Sequence, residues 1–125
     1  TINYKCKGIF IAGGAGITPF IAILRHLKKQ GKLEGNKLLF SNKKQGDIIL
    51  EKEFKNMLGK HAIFTLTDKQ ERGYESGRID KSFLKKHIDD FSQHFYICGP
   101  VAMVKDVGDA LKELGANPES ITIEK

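Results

Sequence analysis

The chain predicts an α/β fold in three layers, a Rossmann-like open parallel sheet of five strands with helices on both faces and strand order 3-2-1-4-5. Three features predict it. Short β-rich runs alternate with amphipathic stretches from one end of the chain to the other. A glycine-rich turn joins the first run to the first amphipathic stretch, and the other glycines and prolines stand singly at element boundaries instead of pooling into a linker.

Strands are expected at residues 8–12, 37–41, 62–67, 95–98 and 121–124. Between the first two, Phe20, Ile23, Leu24 and Leu27 recur at helical spacing, and Gly31 stands where a left-handed residue would end the helix. A second helix is expected over residues 47–58, with Leu50, Phe54, Met57 and Leu58 on one face and the Asp47 carboxylate as its N-cap. The third begins near Asp80, where Ile79 and Leu84 form a hydrophobic staple, and ends around Asp90. Pro100 is set for the first turn of the last helix, which turns Val104, Val107, Leu111 and Leu114 inward before Gly115. Right-handed crossovers cover both faces only if the winding reverses once, and a ligand crevice opens at that reversal, outside the carboxyl ends of the strands.

With 125 residues, 40% of them hydrophobic, the chain has the size of a single domain spanning 1–125. A net charge of +6 allows nucleic acid, acidic proteins or phosphate-bearing ligands as partners. No basic stripe interleaved with aromatics supports nucleic acid, and no apolar stretch is long enough to cross a bilayer. Two cysteines, Cys6 and Cys98, are too few for a disulfide scaffold and fit a reducing cytoplasm. The four histidines lack metal-ligand spacing.

Chemistry concentrates at three strand ends. The first runs into Gly13-Gly14-Ala15-Gly16-Ile17-Thr18-Pro19 and then a helix. Glycines there let backbone approach a phosphate and allow positive φ, while the helix adds free amides and the positive end of its dipole. Gly14, Gly16 and Pro19 give a G-x-G-x-x-P spacing, with Thr18 as an N-cap before a proline at N1. No Lys-Ser or Lys-Thr follows, which excludes a Walker A loop. A pyrophosphate site is one reading; a tight turn without ligand is the other.

At the end of the second strand, where a site for NAD commonly has an acid for the ribose diol, this chain has Ser41, Asn42, Lys43 and Lys44. A hydroxyl, an amide and two cations suit a 2′-phosphate, which favours NADP over NAD; a solvated basic turn is the competing reading. The fourth strand breaks at Cys98-Gly99-Pro100, with Met103 one helical turn on. Gly99 would admit a flat ring and Met103 would supply polarizable contact. Cys98 has no base in reach as a nucleophile, since His94 is four strand residues away, roughly 13 Å. It is a positioning group or simple packing.

Together the Gly-Gly-Ala-Gly-Ile-Thr-Pro turn, the Cys-Gly-Pro with Met103, the 38–43 run, Asp47-Ile48-Ile49 and Gly77-Arg78-Ile79 resemble the ferredoxin–NADP⁺ reductase superfamily. The resemblance runs from about Gly8 to Glu124. It implies that Gly13, Gly14, Gly16, Thr18 and Pro19 lie around the pyrophosphate and nicotinamide, that Ser41, Asn42 and Lys43 lie near the adenosine ribose or its phosphate, and that Cys98, Gly99, Pro100 and Met103 border the nicotinamide. Cys98 would then be the catalytic positioning group, placing nicotinamide against flavin without covalent change. The implied enzyme passes a hydride from NADPH or NADH to FAD and electrons on to a flavodoxin, ferredoxin or similar acceptor.

Two departures from the family pattern stand out. The Arg-x-Tyr-Ser or Arg-x-Tyr-Thr flavin motif and its β-barrel have no room here, and Arg72-Gly73-Tyr74-Glu75 is a decoy between a strand and a helix. FAD is therefore expected on a partner β-barrel domain. The lead-in from Thr1, without Met, reads as a cut from a longer flavoenzyme of which this is the C-terminal part, and the stop at Lys125 leaves no terminal aromatic to cover a flavin. The alternative is a non-enzymatic nucleotide-sensing or partner-binding module that kept the fold.

Overall fold

A computed structural model describes residues 3–124. Thr1 and Lys125, on which the expected cut lead-in and terminal stop rest, lie outside the described residues, as does Ile2. The elements run β1 (Gly8–Gly13), α1 (Thr18–Lys29), β2 (Lys37–Asn42), α2 (Glu51–Leu58), β3 (Ala62–Leu66), β4 (Glu75–Ser76), α3 (Lys81–His87), β5 (His94–Cys98), α4 (Val101–Glu113) and β6 (Ile121–Glu124). All strand pairs are parallel, in the order β4-β3-β2-β1-β5-β6. Without the two-residue β4, this is the expected 3-2-1-4-5.

Alternation along each strand divides the core into two. Phe10, Ala12, Leu38, Phe40, Phe64, Tyr96 and Cys98 face α1 and α2, where Phe20, Leu24, Leu27, Phe54 and Leu58 close over them. Ile9, Ile11, Leu39, Phe95 and Ile97 face the other way, under Phe83 and Leu84 of α3 and Val104, Val107 and Leu111 of α4. The period of two that separates Leu38 from Leu39 is what a sheet covered on both faces demands. Fully burying one such Phe or Leu is worth roughly 1.5–3 kcal/mol, so each face contributes more than any surface ion pair.

Ends of elements follow local chemistry. Gly31 is the C′ residue of α1, with Lys32 N–H donating to Leu27 O at 2.8 Å and Gly31 N–H to Lys28 O at 3.0 Å, the paired bonds of a Schellman motif. Asp80 caps α3 by accepting from Phe83 N–H at 2.9 Å, between the buried staple residues Ile79 and Leu84.

Three expectations about element ends are corrected, and one strand is added. α2 starts at Glu51, not Asp47, because residues 45–47 form a separate 3₁₀ turn and Leu50 takes a left-handed φ of 55° that breaks the helical path. α3 ends at His87 because Ile88 is extended, and the Asp90 carboxylate instead holds the next turn through Ser92 N–H at 2.9 Å. Pro100, with ψ 147°, is the N-cap residue of α4 and not its first turn. β4 escapes the sequence reading because two residues carry no periodicity; its position is fixed by the Thr65 hydroxyl, which donates to Gly77 O at 2.7 Å.

Candidate functional site

The winding reverses between β1 and β5, which pair directly, Ala12 opposite Cys98. The glycine turn and the Cys98-Gly99-Pro100 break therefore meet at one point of the sheet edge. Their contact is backbone to backbone. A Cβ built on Gly16 would stand 2.3 Å from the Cys98 carbonyl oxygen and 2.7 Å from Gly99 N, so only glycine fits. A Cβ on Gly13 would stand 2.3 Å from Met103 Sδ, and one on Gly99 would stand 3.3 Å from Gly13 N. Gly99 thus accommodates the opposite turn as well as whatever lies above it.

Residues 14–17 coil as a 3₁₀ turn that leads straight into α1. This displaces Thr18 from the expected N-cap position: it is already helical, and its hydroxyl donates back to Ala15 O at 2.9 Å. Pro19 holds the first-turn place expected of it. Among the described residues no side chain caps the 3₁₀ turn or α1, and Thr18 N–H donates to Ala15 O, so the amides left to an acceptor from outside are those that open the 3₁₀ turn.

A cleft of about 560 Å³ runs from this point along the carboxyl ends of β1, β2 and β3. Of the residues singled out from sequence, Gly13, Gly14, Ser41, Asn42, Lys43, Pro100 and Met103 line it. Gly16, Thr18, Pro19, Cys98 and Gly99 do not; they adjoin it where the two turns touch, and Cys98 packs toward α1 with Ala12 and Ile17. The cleft adds residues that the sequence reading did not place in the site: Asp47 and Ile49 from the turn before α2 and Arg78 and Ile79 before α3, all four quoted there for the resemblance, Thr67 just past β3, and Asp106 and Val107 on α4. Thr67 and Arg78 follow the ends of β3 and β4, as Lys43 follows β2, so the rule that ligands gather at carboxyl ends could have flagged them. Asp106 lies three residues past Met103, on the same helix face.

Ile49, Ile79, Met103 and Val107 give the cleft apolar surface; Ser41, Asn42, Lys43, Asp47, Thr67, Arg78 and Asp106 give it polar side chains. Among the described residues, none of these seven side chains forms a hydrogen bond or salt bridge with another protein group. Asn42 is 6% exposed and its amide nitrogen is buried without a partner. An unsatisfied buried amide costs about 1–3 kcal/mol, a cost that a ligand acceptor would relieve. Lys43 and Arg78 follow strands two places apart, about 10 Å. In a water-facing cleft two like charges at that separation repel by about 0.4 kcal/mol, whereas each unit of charge on a phosphate 4 Å from a cation gains about 1 kcal/mol.

Cys98 is 8% exposed, and burial, reinforced by Glu124, pushes its thiol above the ordinary cysteine range. His94 is occupied elsewhere, its Nε2 lying 2.8 Å from the Thr122 hydroxyl, and burial lowers its pKa. The thiol is protonated at neutral pH, with no base drawn to it from this histidine. A second groove, about 400 Å³ beside Ala62, Ile63 and Phe64, differs in kind: its Glu75 is paired with Lys86 and His87, and its Lys55 with Glu51.

Residues 10–109 match the family described as the oxidoreductase NAD-binding domain. The chain belongs to that family. The matched span contains both turns and every residue of the cleft. NADH-cytochrome b5 reductase 2 of Rattus norvegicus is 30% identical over 122 residues, covering 89% of this chain and 44% of that protein. The cytochrome b5 reductase domain of Ulva prolifera nitrate reductase is 25% identical, with a TM-score of 0.80 over 93% of this chain and 47% of that one. A ferredoxin NADP⁺ reductase from Neisseria gonorrhoeae with bound FAD and NADP shares the fold, with a TM-score of 0.77 at 24% identity, over 93% of this chain and 54% of that one. The resemblance to ferredoxin–NADP⁺ reductases therefore holds, and the chain spans about half the length of the relatives named here. No helix among the described residues is long and apolar enough to cross a membrane.

Proposed function

We propose that this NAD-binding domain serves a flavin-dependent reductase that takes a hydride from NADPH, in preference to NADH, and delivers electrons through FAD held on a separate β-barrel domain. The observation that carries the reading is the meeting of the two turns at the head of a cleft whose polar side chains form no hydrogen bond or salt bridge among the described residues. The amides that open the 3₁₀ turn over residues 14–17 bind the pyrophosphate, at the positive end of the helix that follows. Ser41, Asn42, Lys43 and Arg78 hold the adenosine 2′-phosphate, Arg78 as the directional, forked donor and Lys43 as a point charge. The apolar wall of Ile79 and Val107 takes the adenine. The nicotinamide extends the other way, past Gly16, Thr18 and Pro19, to Cys98, Gly99, Pro100 and Met103.

FAD supplies the conversion of a two-electron hydride into single electrons. This chain supplies binding and orientation. Cys98, protonated and wedged against Gly16, fixes where the nicotinamide edge rests and does not attack it. The acceptor class includes flavodoxin and ferredoxin, and the names of the relatives extend it to cytochrome b5. Free Cys6 and Cys98 support a cytoplasmic setting.

Titration of the chain with NADP⁺, NAD⁺ and 2′-phospho-AMP by calorimetry tests this reading. Binding of at least one at millimolar levels, tightest for the 2′-phosphorylated ligands, is expected; binding of none overturns it. Lys43→Glu should weaken NADPH more than NADH, and equal losses would reject the 2′-phosphate assignment.

A further inference from the structure

The groove beside Ala62, Ile63 and Phe64 follows a stretch of sheet edge that β4 leaves uncovered, since β4 pairs with Thr65 and Leu66 alone. Backbone groups along a strand turn to alternate sides, and two bonds fix which side is which in β3. Thr67 N–H donates to Asn42 O on the side of β2, while Leu66 O accepts from Gly77 N–H on the side of β4, both at 2.9 Å. Ala62 and Phe64, in step with Leu66, therefore turn their groups toward the open edge. Ala62 N–H is taken by Gly59 O, and Glu75, opposite Thr65, takes Phe64 C=O. Ala62 C=O and Phe64 N–H are left, and they meet no strand on that side among the described residues.

That pair is specific. In a parallel ladder one residue donates its N–H to the carbonyl before its opposite number and accepts with its C=O from the N–H after it. A residue opposite Ile63 in a parallel strand would use both groups. An antiparallel residue needs the N–H and C=O of one partner, which neither Ala62 nor Phe64 still offers. The side chains of such a strand would fall in register on the two faces of the sheet: one beside Ile63 and His87, its neighbours on the face of Phe64 and Lys55. Lys55 Nζ bonds Glu51 at 2.7 Å and stands 5.6 Å from the Phe64 ring centroid, so one of its three N–H donors is engaged. Lys60, at the amino end of the groove, is exposed and forms no hydrogen bond or salt bridge among the described residues. The acids at hand, Glu51 and Glu75, are already paired, and Asp89 and Asp90 border a separate cavity beyond His61. A carboxylate entering here meets cations, whereas an entering cation finds its acids taken.

We infer that the open edge of β3 takes up an extended acidic segment of a partner protein as one further parallel strand in line with β4, an apolar residue opposite Ile63 and carboxylates on either side of it. Main-chain bonds to Ala62 and Phe64 hold the segment, and Lys55 and Lys60 select its charge. The side-chain charges of this corner are matched; its backbone is not, and unmet groups along an edge are a template for pairing.

The probe is an acetylated, amidated peptide of sequence Glu-Val-Glu-Val-Glu, titrated into the full chain and followed by amide chemical shifts. Binding at millimolar levels or tighter is expected, with shifts centred on Ala62, Ile63 and Phe64 and with slowed exchange of the Phe64 amide. The same peptide with N-methylated valines, which leaves the protein untouched, should bind at least roughly tenfold more weakly. Lys60→Glu and Lys55→Gln should each weaken the parent peptide roughly threefold. Four results would overturn the inference: no binding at millimolar levels, equal binding of the N-methylated peptide, equal binding of a Lys-Val-Lys-Val-Lys peptide, or concentration-dependent shifts at Ala62–Phe64 without peptide, which would make a second copy of the chain the occupant. None of these bears on nucleotide binding, so the dinucleotide reading stands or falls separately.

Discussion

Two regions of the molecule treat their charges in opposite ways. Around the outer corner where α2, β3 and β4 meet, charges are matched: Lys55 reaches Glu51 at 2.7 Å and lies over the Phe64 and Tyr74 rings, Tyr74 donates to Glu51, and Glu75 takes both Lys86 and His87. Along the carboxyl ends of the strands, Lys43, Asp47, Arg78 and Asp106 share one cleft and form no hydrogen bond or salt bridge among the described residues. Surface pairs contribute little each, so the first region is tidy more than it is strong. The second leaves charges and a buried amide unmatched, which a fold gains nothing from unless something else arrives to meet them. Stability and function separate along that line, and mutations should separate with them.

The largest effect is expected where the two turns touch. Gly16→Ala drives a methyl into the Cys98 carbonyl, a backbone atom that cannot swing aside, and should lower stability by about 3 kcal/mol in urea unfolding while abolishing nucleotide binding. Gly13→Ala meets the flexible Met103 side chain and should cost less, about 1 kcal/mol. Equal costs would show that the contact between the turns is not rigid.

Next come two changes that should each affect one region alone. Tyr74→Phe removes the hydroxyl that meets Glu51 and should cost about 1.5 kcal/mol of stability with nucleotide affinity untouched. Burial first, then Glu51, pushes the Tyr74 phenol up to about 12. Because that value is raised by folding, the associated stability is present below the ordinary tyrosine range near pH 10 and is lost as pH rises toward about 12, a decline the Phe variant should lack. Arg78→Ala should do the opposite, weakening 2′-phospho-AMP roughly tenfold while moving stability by less than about 0.5 kcal/mol. If Arg78→Ala destabilises the protein as much as Tyr74→Phe does, the division between the regions fails.

How much of this could be read from the chain depends on whether the signal is local. The G-x-G-x-x-P turn and the Cys-Gly-Pro break declare themselves because glycine and proline act on their own backbone, and the helices because Phe20, Leu24 and Leu27 repeat on one face. The sheet order follows from handedness once the elements are placed. What escaped was everything set by meeting at a distance. Asp47 reads as a cap because capping is a short-range pattern; only the left-handed Leu50 shows otherwise. Arg78 stood beside a recognised glycine, yet its place in the cleft depends on the two-residue β4 being at the sheet edge. Thr67 and Asp106 belong to the cleft only through topology, and no spacing in the sequence links them to Lys43.

The smallest effect tests the paired region by pH. The hydrogen bond from Lys86, outweighing burial and aided by His87, holds the Glu75 carboxyl below the usual carboxylate range. A carboxyl whose value folding depresses adds stability above its ordinary range and loses it as pH falls through the depressed value. With Glu75 about a third exposed, solvent screens the pair and the contribution should stay well under 1 kcal/mol. Glu75→Gln should therefore flatten the acid limb of the unfolding curve slightly, change nothing at neutral pH beyond that fraction, and leave 2′-phospho-AMP affinity as it was. A change in nucleotide affinity from this substitution would mean that the matched corner communicates with the unmatched cleft through β4, whose first residue is Glu75 and whose second, Ser76, lies two positions before Arg78.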